Sequence, residues 1–459
     1  MVCCFFRWHY DVSRFSLILV HSIYKDRLVK IKQLKLHNFR CFKEYELELD
    51  DRFNLLTGDN GSGKTAILDG LSVAVGAFLL EIPGIRATDK RHISRDDIRY
   101  EELTMGQTVI KEIEDVTIVN TIGVINNEVI EWLRYRDIKK GRRRVKPITN
   151  LIKKMIDKKT DPSTFFPIIA YYSTGRLWKQ LKATEKKIKS PSSRLEGYQN
   201  CLNPASDQKR FFSWFKTEEL SSLQKGKRRH VLEAVREAIV GMIPDAKKVW
   251  WDMDSDELCI ETPIQGQLQI IPFHLLSDGY RNMIGMVADI AYRMATLNPQ
   301  SEIQVIEETE GIVLIDEIDL HLHPKWQRIV IEQLLRTFPK VQFVASTHSP
   351  FIIQSLRQGK LIQLDENTNA EYHNLSIEDI AENVQGVELP QKSKRYRDMM
   401  AVAEAYYKRL HEFNNESDAE LEKLRADLDE LSIPFSDDPA FVARLKFERD
   451  TVLHIKGKK

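Results

Sequence analysis

Cysteine is scarce in this chain, and the little there is forms no pattern. The five residues, Cys3, Cys4, Cys41, Cys201 and Cys259, include no C-x-x-C pair and no secretory spacing. That excludes a disulfide framework as the organising device and fits a reduced, cytoplasmic compartment. Long hydrophobic runs are also missing. The opening segment, residues 1–27, holds an apolar stretch only from Phe15 to Val20, far below the roughly 20 residues of a membrane span. It has no small-residue cleavage site, and its composition differs from that of the remaining chain, so it is expected to be an extension outside the fold. Neither sign of charge is in excess, with 68 Lys and Arg against 67 Asp and Glu. Without a global field, any contact with nucleic acid has to be local. Internal repeats and sustained heptads are absent, which excludes extended coiled-coil arms.

What is present is a long chain with alternating strand and helix signals. A length of 459 residues corresponds to about three domains, or to one domain carrying large insertions. From Val29 onwards IKQLKLHNF and KEYELEL alternate as strands, and FNLLT then enters a glycine-rich loop. Over about 80–270 the signals change. TVIKEIEDVTIVNTIGVINNEVIEWLRY alternates like β-structure, PIIAYYS suggests a buried strand, and SSLQKGKRRHVLEAVREAIVGMI suggests one amphipathic helix. VWWDMDSDELCIETP has the pattern of a hairpin turning at Asp254-Ser255-Asp256; its DMDSD lacks the glycine and terminal glutamate of a calcium loop.

The chemistry concentrates in the loop GDNGSGKT, Gly58 to Thr65, which has the form G-x-x-x-x-G-K-[ST] between an apolar strand and a helix. Glycines there let backbone N–H groups turn inward around a polyphosphate seated at the positive end of the following helix. The candidates are Asn60, Gly61, Gly63, Lys64, Thr65 and Ala66. Lys64 would reach the β- and γ-phosphates, and the Thr65 hydroxyl would hold Mg²⁺. GIVLIDEID, residues 311–319, reads as a buried strand ending in two acids: Asp316 for the Mg²⁺ shell and Glu317 as the base that orients water. VQFVASTHSP ends another apolar strand at His348, placed to reach a γ-phosphate. Ser277-Asp278-Gly279 opens an apolar helix; the hydroxyl and free N–H groups make either a second anion site or an ordinary cap. His321 and His323 have no third ligand nearby and are not expected to hold metal.

In that order of motifs LSDGYR, just ahead of the acid-pair strand, resembles the signature loop of ABC-type ATPases. The resemblance implies an α/β, P-loop ATPase head with a mixed sheet, a helical insertion at about 80–270 and a helical C-terminal tail. It further implies ATP and Mg²⁺ as ligands, and a homodimer of heads or a higher homo-oligomer in which Ser277 and Gly279 of one head contact nucleotide bound to the other. LHNFRCFKEYELEL followed by LLTGDNGSGKT is similar to the chromosome-maintenance and repair branch, with its RecF and overcoming-lysogenization-defect relatives, rather than to membrane transporters, so no membrane partner is implied. Arg40 stands where that branch often carries a basic residue near the nucleotide; a surface position on a hairpin is equally open. No certain match is found for the glutamine that senses Mg²⁺, and Ser173 and Arg176 are the candidates. The segment after His348 shows no acidic set of a nuclease domain. PIIAYYSTGRLW, VASTHSPFII and SDDPAFVARLKFERD resemble the ATPases of Septu antiphage systems, the PtuA family, which also accompany some retrons. That resemblance implies a separate HNH nuclease, PtuB, as partner and a regulatory rather than driving use of ATP.

Two further segments are candidate contact surfaces. DIKKGRRRVKPITNLIKKMIDKK, residues 137–159, carries ten basic side chains against two acids, a footprint suited to DNA or RNA phosphates or simply a solvated loop. AELEKLRADLDELSI places Leu421, Leu424, Leu428 and Leu431 on one helical face that needs cover. The expected divisions are an extension over 1–27, a head over 28–386 and a partner-binding tail over 387–459. The expected function is an antiphage defence ATPase that regulates a nuclease; the alternative is a DNA repair or recombination ATPase acting directly on DNA ends.

Overall fold

The computed structural model describes residues 29–105, 108–138, 141–143, 146–176, 193–203, 208–243, 245–264, 266–364, 372–387, 393–412 and 419–433. Two compact units divide between Leu375 and Ser376. The opening extension and the SDDPAFVARLKFERD stretch lie outside the described residues.

An alternating pair, β1 (Val29–Phe39) and β2 (Phe42–Glu48), leads to a fully buried strand, β3 (Phe53–Thr57), and through the glycine loop to helix α1 (Lys64–Gly76). A hairpin, β4 (Tyr100–Met105) and β5 (Thr108–Ile113), precedes β6 (Val116–Ile125), β7 (Glu128–Asp137), β8 (Gly141–Arg143) and α2 (Lys146–Asp157). Strand β9 (Ile168–Tyr172) is followed by α3 (Gln208–Lys225) and α4 (His230–Met242). The meander β10 (Lys248–Asp252), β11 (Glu257–Ile264), β12 (Gln267–Pro272) then leads into α5 (Asp278–Leu297). Next come β13 (Gly311–Ile315), α6 (Val330–Thr337), β14 (Val341–Ser346) and β15 (Lys360–Gln363).

The centre is a parallel sheet in the order β15-β3-β14-β13-β9. Every residue of β3, β9, β13 and β14 is buried, which explains nearly continuous apolar runs instead of alternation. A second, antiparallel sheet runs β2-β1-β6-β7-β8. Helix α1 packs into a core shared by both sheets, with Leu34, Leu36 and Val119 from one and Ile169, Ile312 and Val344 from the other. All of α1 except Thr65 is buried, so it is mostly apolar all round rather than striped, with Lys64, Asp69 and Ser72 as its buried polar residues. Gln342 on β14 stitches the sheets together: its amide donates to the Ile31 and Asp50 carbonyls, both at 2.8 Å, and accepts the Ile31 N–H at 2.9 Å.

Residues in the interval 80–270 are not set apart from these sheets. Strand β6 pairs with β1, and β9 edges the parallel sheet beside β13. The sequence suggests one helix over 221–243, but two form. Helix α3 stops at Lys225, Gly226 turns with φ +57°, and α4 restarts at His230 after an extended Arg229. The basic run is likewise no plain loop, because its second half is α2, with Ile148, Ile152 and Met155 buried and Lys153, Lys154, Lys158 and Lys159 exposed.

The second unit contains α7 (Ile377–Asn383), started by a Ser376–Asp379 capping box, α8 (Lys394–Glu412) and α9 (Ala419–Ser432). The leucine face of α9 is covered by α8: Leu428 is buried with Met399, Ala403 and Tyr406, and Leu421, Leu424 and Leu431 pack around them. Among the described residues no helix is long and apolar enough to cross a membrane.

Candidate functional site

The ends of β3, β13, β14 and β9 lie side by side, since Ser346 pairs with Leu56, and Ile315 with both Ala345 and Tyr172. Every motif singled out on these strands therefore emerges at the same edge, the C-terminal edge where open parallel sheets take their ligands. The glycine loop follows β3 with left-handed residues at Gly61 (φ +87°) and Gly63 (φ +105°). Gly63 leaves no room for a side chain, as a Cβ there would stand 2.4 Å from the Phe42 ring. Asn60, Gly61 and Thr65 are exposed, while Lys64 and Ala66 are buried. Lys64 Nζ donates to the Gly58 and Asp59 carbonyls at 2.6 and 2.8 Å, curling the loop over itself.

The acid pair meets this loop directly. Thr65 Oγ1 donates to Asp316 Oδ2 at 3.0 Å, and Ser346 Oγ donates to Asp316 Oδ1 at 2.6 Å. Ser346 also accepts the Glu317 N–H at 2.8 Å, so one hydroxyl at the end of β14 orients both acids. Glu317 turns sharply there, with φ +48°. Thr347 donates to Asp319 at 2.6 Å, and His348 beside it is exposed. Hydroxyl and carboxylate oxygens alone, facing each other across the loop, are the donor set of a small hard cation. The Ser62 hydroxyl in the same loop is buried without a hydrogen-bond partner, and the first turn of α1 has N–H groups without intrahelical acceptors. These features fit Mg²⁺ held by Thr65 and Asp316, with a polyphosphate in the loop.

The Ser277 loop is built differently. Ser277 is exposed and its side chain makes no capping bond to α5, so ordinary capping does not account for its hydroxyl. Gly279 lies so close to the 319–323 segment that a Cβ would stand 2.4 Å from the His321 carbonyl oxygen. Asn282 donates to the Leu320 carbonyl at 3.4 Å. His321 adopts φ +61°, and His323 Nδ1 accepts the Lys325 N–H as the cap of a short helix, Pro324–Gln327. Ser173 accepts the Gly175 N–H at 3.2 Å, and Arg176 closes the short turn Thr174–Arg176.

Arg40 carries a double commitment. Its guanidinium pairs with Asp69 on α1 at 2.6 Å and with Asp97 at 3.1 Å. Arg91 joins both carboxylates, at 3.4 and 2.8 Å. Burial opposes ionisation of Asp97, but Arg91 and the Ser94 N–H and hydroxyl outweigh it and hold this carboxyl well below the ordinary range. At Asp69 burial prevails over Arg40 and Arg91, and the carboxyl is pushed up.

Two groups near the site escape linear reading. The rings of Phe42 and Tyr45 lie tilted against each other with centroids 4.5 Å apart, and Phe42 stands against Gly63. Tyr172, Asp289 and Arg293 form a buried network linking β9 to α5. The network has no spacing signal because it joins elements far apart in the chain, and the Phe42–Tyr45 pair, both on β2, gains its meaning only from the distant Gly63.

A family model described as "AAA domain" matches residues 33–246, and one described as "AAA domain, putative AbiEii toxin, Type IV TA system" matches 211–354. The chain is 26% identical over 411 residues to "Retron Vc95 probable ATPase" of Vibrio cholerae, covering 78% of each chain. It is 25% identical over 384 residues to "Septu protein PtuA" of Bacillus thuringiensis, covering 79% of this chain and 85% of that one. Among solved structures, an SMC head bound to the C-terminal winged helix of ScpA is 16% identical, with a TM-score of 0.45, over 72% of this chain and 93% of that one. The fold assignment rests on the parallel strand order and the loop after β3.

Proposed function

We propose that this chain, similar over 79% of its length to a Septu protein PtuA, is an antiphage defence ATPase that hydrolyses ATP between two heads and controls a separate HNH nuclease. The observation that carries the ATPase part is the 3.0 Å bond from Thr65 to Asp316, which joins the phosphate loop to the acid pair. The loop N–H groups, Lys64 and the N-terminus of α1 bind the polyphosphate. Bound Mg²⁺ would supply charge neutralisation across the β- and γ-phosphates. Glu317 takes the proton of a water that attacks the γ-phosphorus, the bond to the β-bridging oxygen breaks, and ADP and phosphate leave. His348 lies beyond Thr347 as a donor to the γ-phosphate, and Ser277 and Gly279 complete the site of the partner head. The Phe42–Tyr45 pair offers the base a surface.

Paired variants test the assignment. Glu317→Gln should keep ATP affinity and trap a stable pair of heads, because the binding contacts remain and only water activation is lost; Lys64→Ala should lose binding. Native turnover by Glu317→Gln would remove it as the base. Control of a nuclease is supported by the likeness to a Septu protein. A small HNH protein encoded beside this one should co-purify with it and cut nucleic acid in a manner that Lys64→Ala alters; failure to bind favours the repair reading. Contact between nucleic acid and residues 137–159 belongs to the same proposal, through the exposed lysines of α2 and the residues following it.

A further inference from the structure

Tyr172 touches both halves of the proposed machinery. Its carbonyl accepts the Asp316 N–H at 2.7 Å, which fixes the metal-site acid to the end of β9. Its hydroxyl donates to Asp289 Oδ2 at 2.7 Å, and Asp289 lies on α5, the helix that begins after Ser277. Arg293 Nε donates to the same oxygen at 2.8 Å, and Arg293 Nη1 donates to the Gly197 and Gln199 carbonyls at 2.8 Å each. The three residues, Tyr172, Asp289 and Arg293, are 5%, 4% and 4% exposed. The 194–198 turn is pressed onto α5, where a Cβ at Gly197 would meet Leu297 at 2.7 Å.

An ion pair this deeply buried is a poor source of stability, because removing both charges from water costs about as much as their attraction gives back. The hydrogen bonds that leave the pair do restrict α5, β9 and the 194–198 turn to one arrangement. A shift of α5 by a turn would carry both charges along and strip the pair of its bonds to the Tyr172 hydroxyl and to the Gly197 and Gln199 carbonyls.

We propose that Tyr172 is a positioning residue that couples the two ATP sites of a head pair. Within one head it links Asp316, which serves that head's own nucleotide, to α5, whose Ser277 end serves the partner's nucleotide. Ligand-driven movement at the Asp316 backbone is passed to α5 through one hydroxyl, so occupancy of one site sets the geometry of the other. This rests on the ATPase reading and on Ser277 acting in trans.

Tyr172→Phe keeps the ring and removes the hydroxyl. Binding of a fluorescent ATP analogue should be unchanged, turnover should fall roughly 10- to 100-fold as the opposing loop is misplaced, and the Hill coefficient for ATP should drop from above one to one. A purely structural role would lower the melting temperature without moving the Hill coefficient. If Tyr172→Phe folds poorly, Tyr172→Phe combined with Asp289→Leu and Arg293→Met removes the whole junction without leaving a charge unpaired in the core and is scored identically. Wild-type turnover and Hill coefficient in the folded variant, or a wild type without cooperativity, overturns the coupling while leaving the ATPase assignment intact. Absence of turnover that Lys64→Ala abolishes overturns the ATPase assignment and the coupling together.

Discussion

At position 63 a single hydrogen atom decides whether the loop can form. The backbone there has φ +105°, and a methyl group would meet the Phe42 ring at 2.4 Å and Cys41 Sγ at 3.0 Å. Gly63→Ala should therefore weaken ATP binding by roughly tenfold or more, about 1.4 kcal/mol, with little change in melting temperature; titration with a fluorescent nucleotide checks it. Asp97 is a residue of the opposite kind, fully buried and serving the scaffold. Its carboxyl ionises more readily in the folded state than in the unfolded one. Its contribution is therefore complete above the unfolded carboxylate value of about 4 and is lost as the pH falls below that towards the folded value. Asp97→Asn should lose about 3–5 kcal/mol at pH 7. The gap to wild type should close below about pH 4, as melting temperatures across pH would record.

Among elements, those buried on both sides are the most legible. FNLLT, PIIAYYS, GIVLIDEID and VQFVAS can be recognised because a strand covered on two faces has to be apolar throughout, and each forms one strand of the central sheet. The loop motif and acid pair are legible for a different reason, since phosphate and metal chemistry fix their residue types and spacing. The break between α3 and α4 has a local signal, Gly226 in the left-handed region just past Lys225, which is easily passed over because the cluster Lys227-Arg228-Arg229 after it is compatible with an exposed helix. The linear sequence also leaves the leucine face of α9 without a cover, which α8 supplies. The Arg40–Asp69–Arg91–Asp97 cluster is not legible at all, since its members are far apart in the chain, and neither is the approach of Phe42 on β2 to Gly63. The α8–α9 contact gives its own test: Leu428→Ala should cost about 2 kcal/mol or more. Hydrogen exchange should then quicken across 394–412 and stay unchanged across α1.

At the scale of the whole molecule, the decisive question is which chain completes each site. Ser277→Arg subunits mixed with Lys64→Ala subunits form pairs in which one composite site is fully native and the other doubly altered. Activity well above either parent is expected once mixed assembly is confirmed, half that of wild type if the two sites act independently and less than half if they are coupled; a mixture as inactive as either parent would count against the shared site. Removing the second unit from Ser376 onwards should leave ATP binding at Lys64 intact and abolish nuclease capture. A truncated chain that still captures the nuclease would move docking to the first unit. The enclosure of α1 between two sheets also bears on how the protein is made. Phe53 finds its neighbour in Phe343, and Asn54 in Lys360, so the phosphate-binding strand gains its partners only after most of the chain has left the ribosome. Until then a helix destined for burial on every face waits without cover, and contacts so distant in sequence form slowly. Newly made chains should thus depend on holding chaperones more as translation slows, and the nucleotide site should be among the last features to mature.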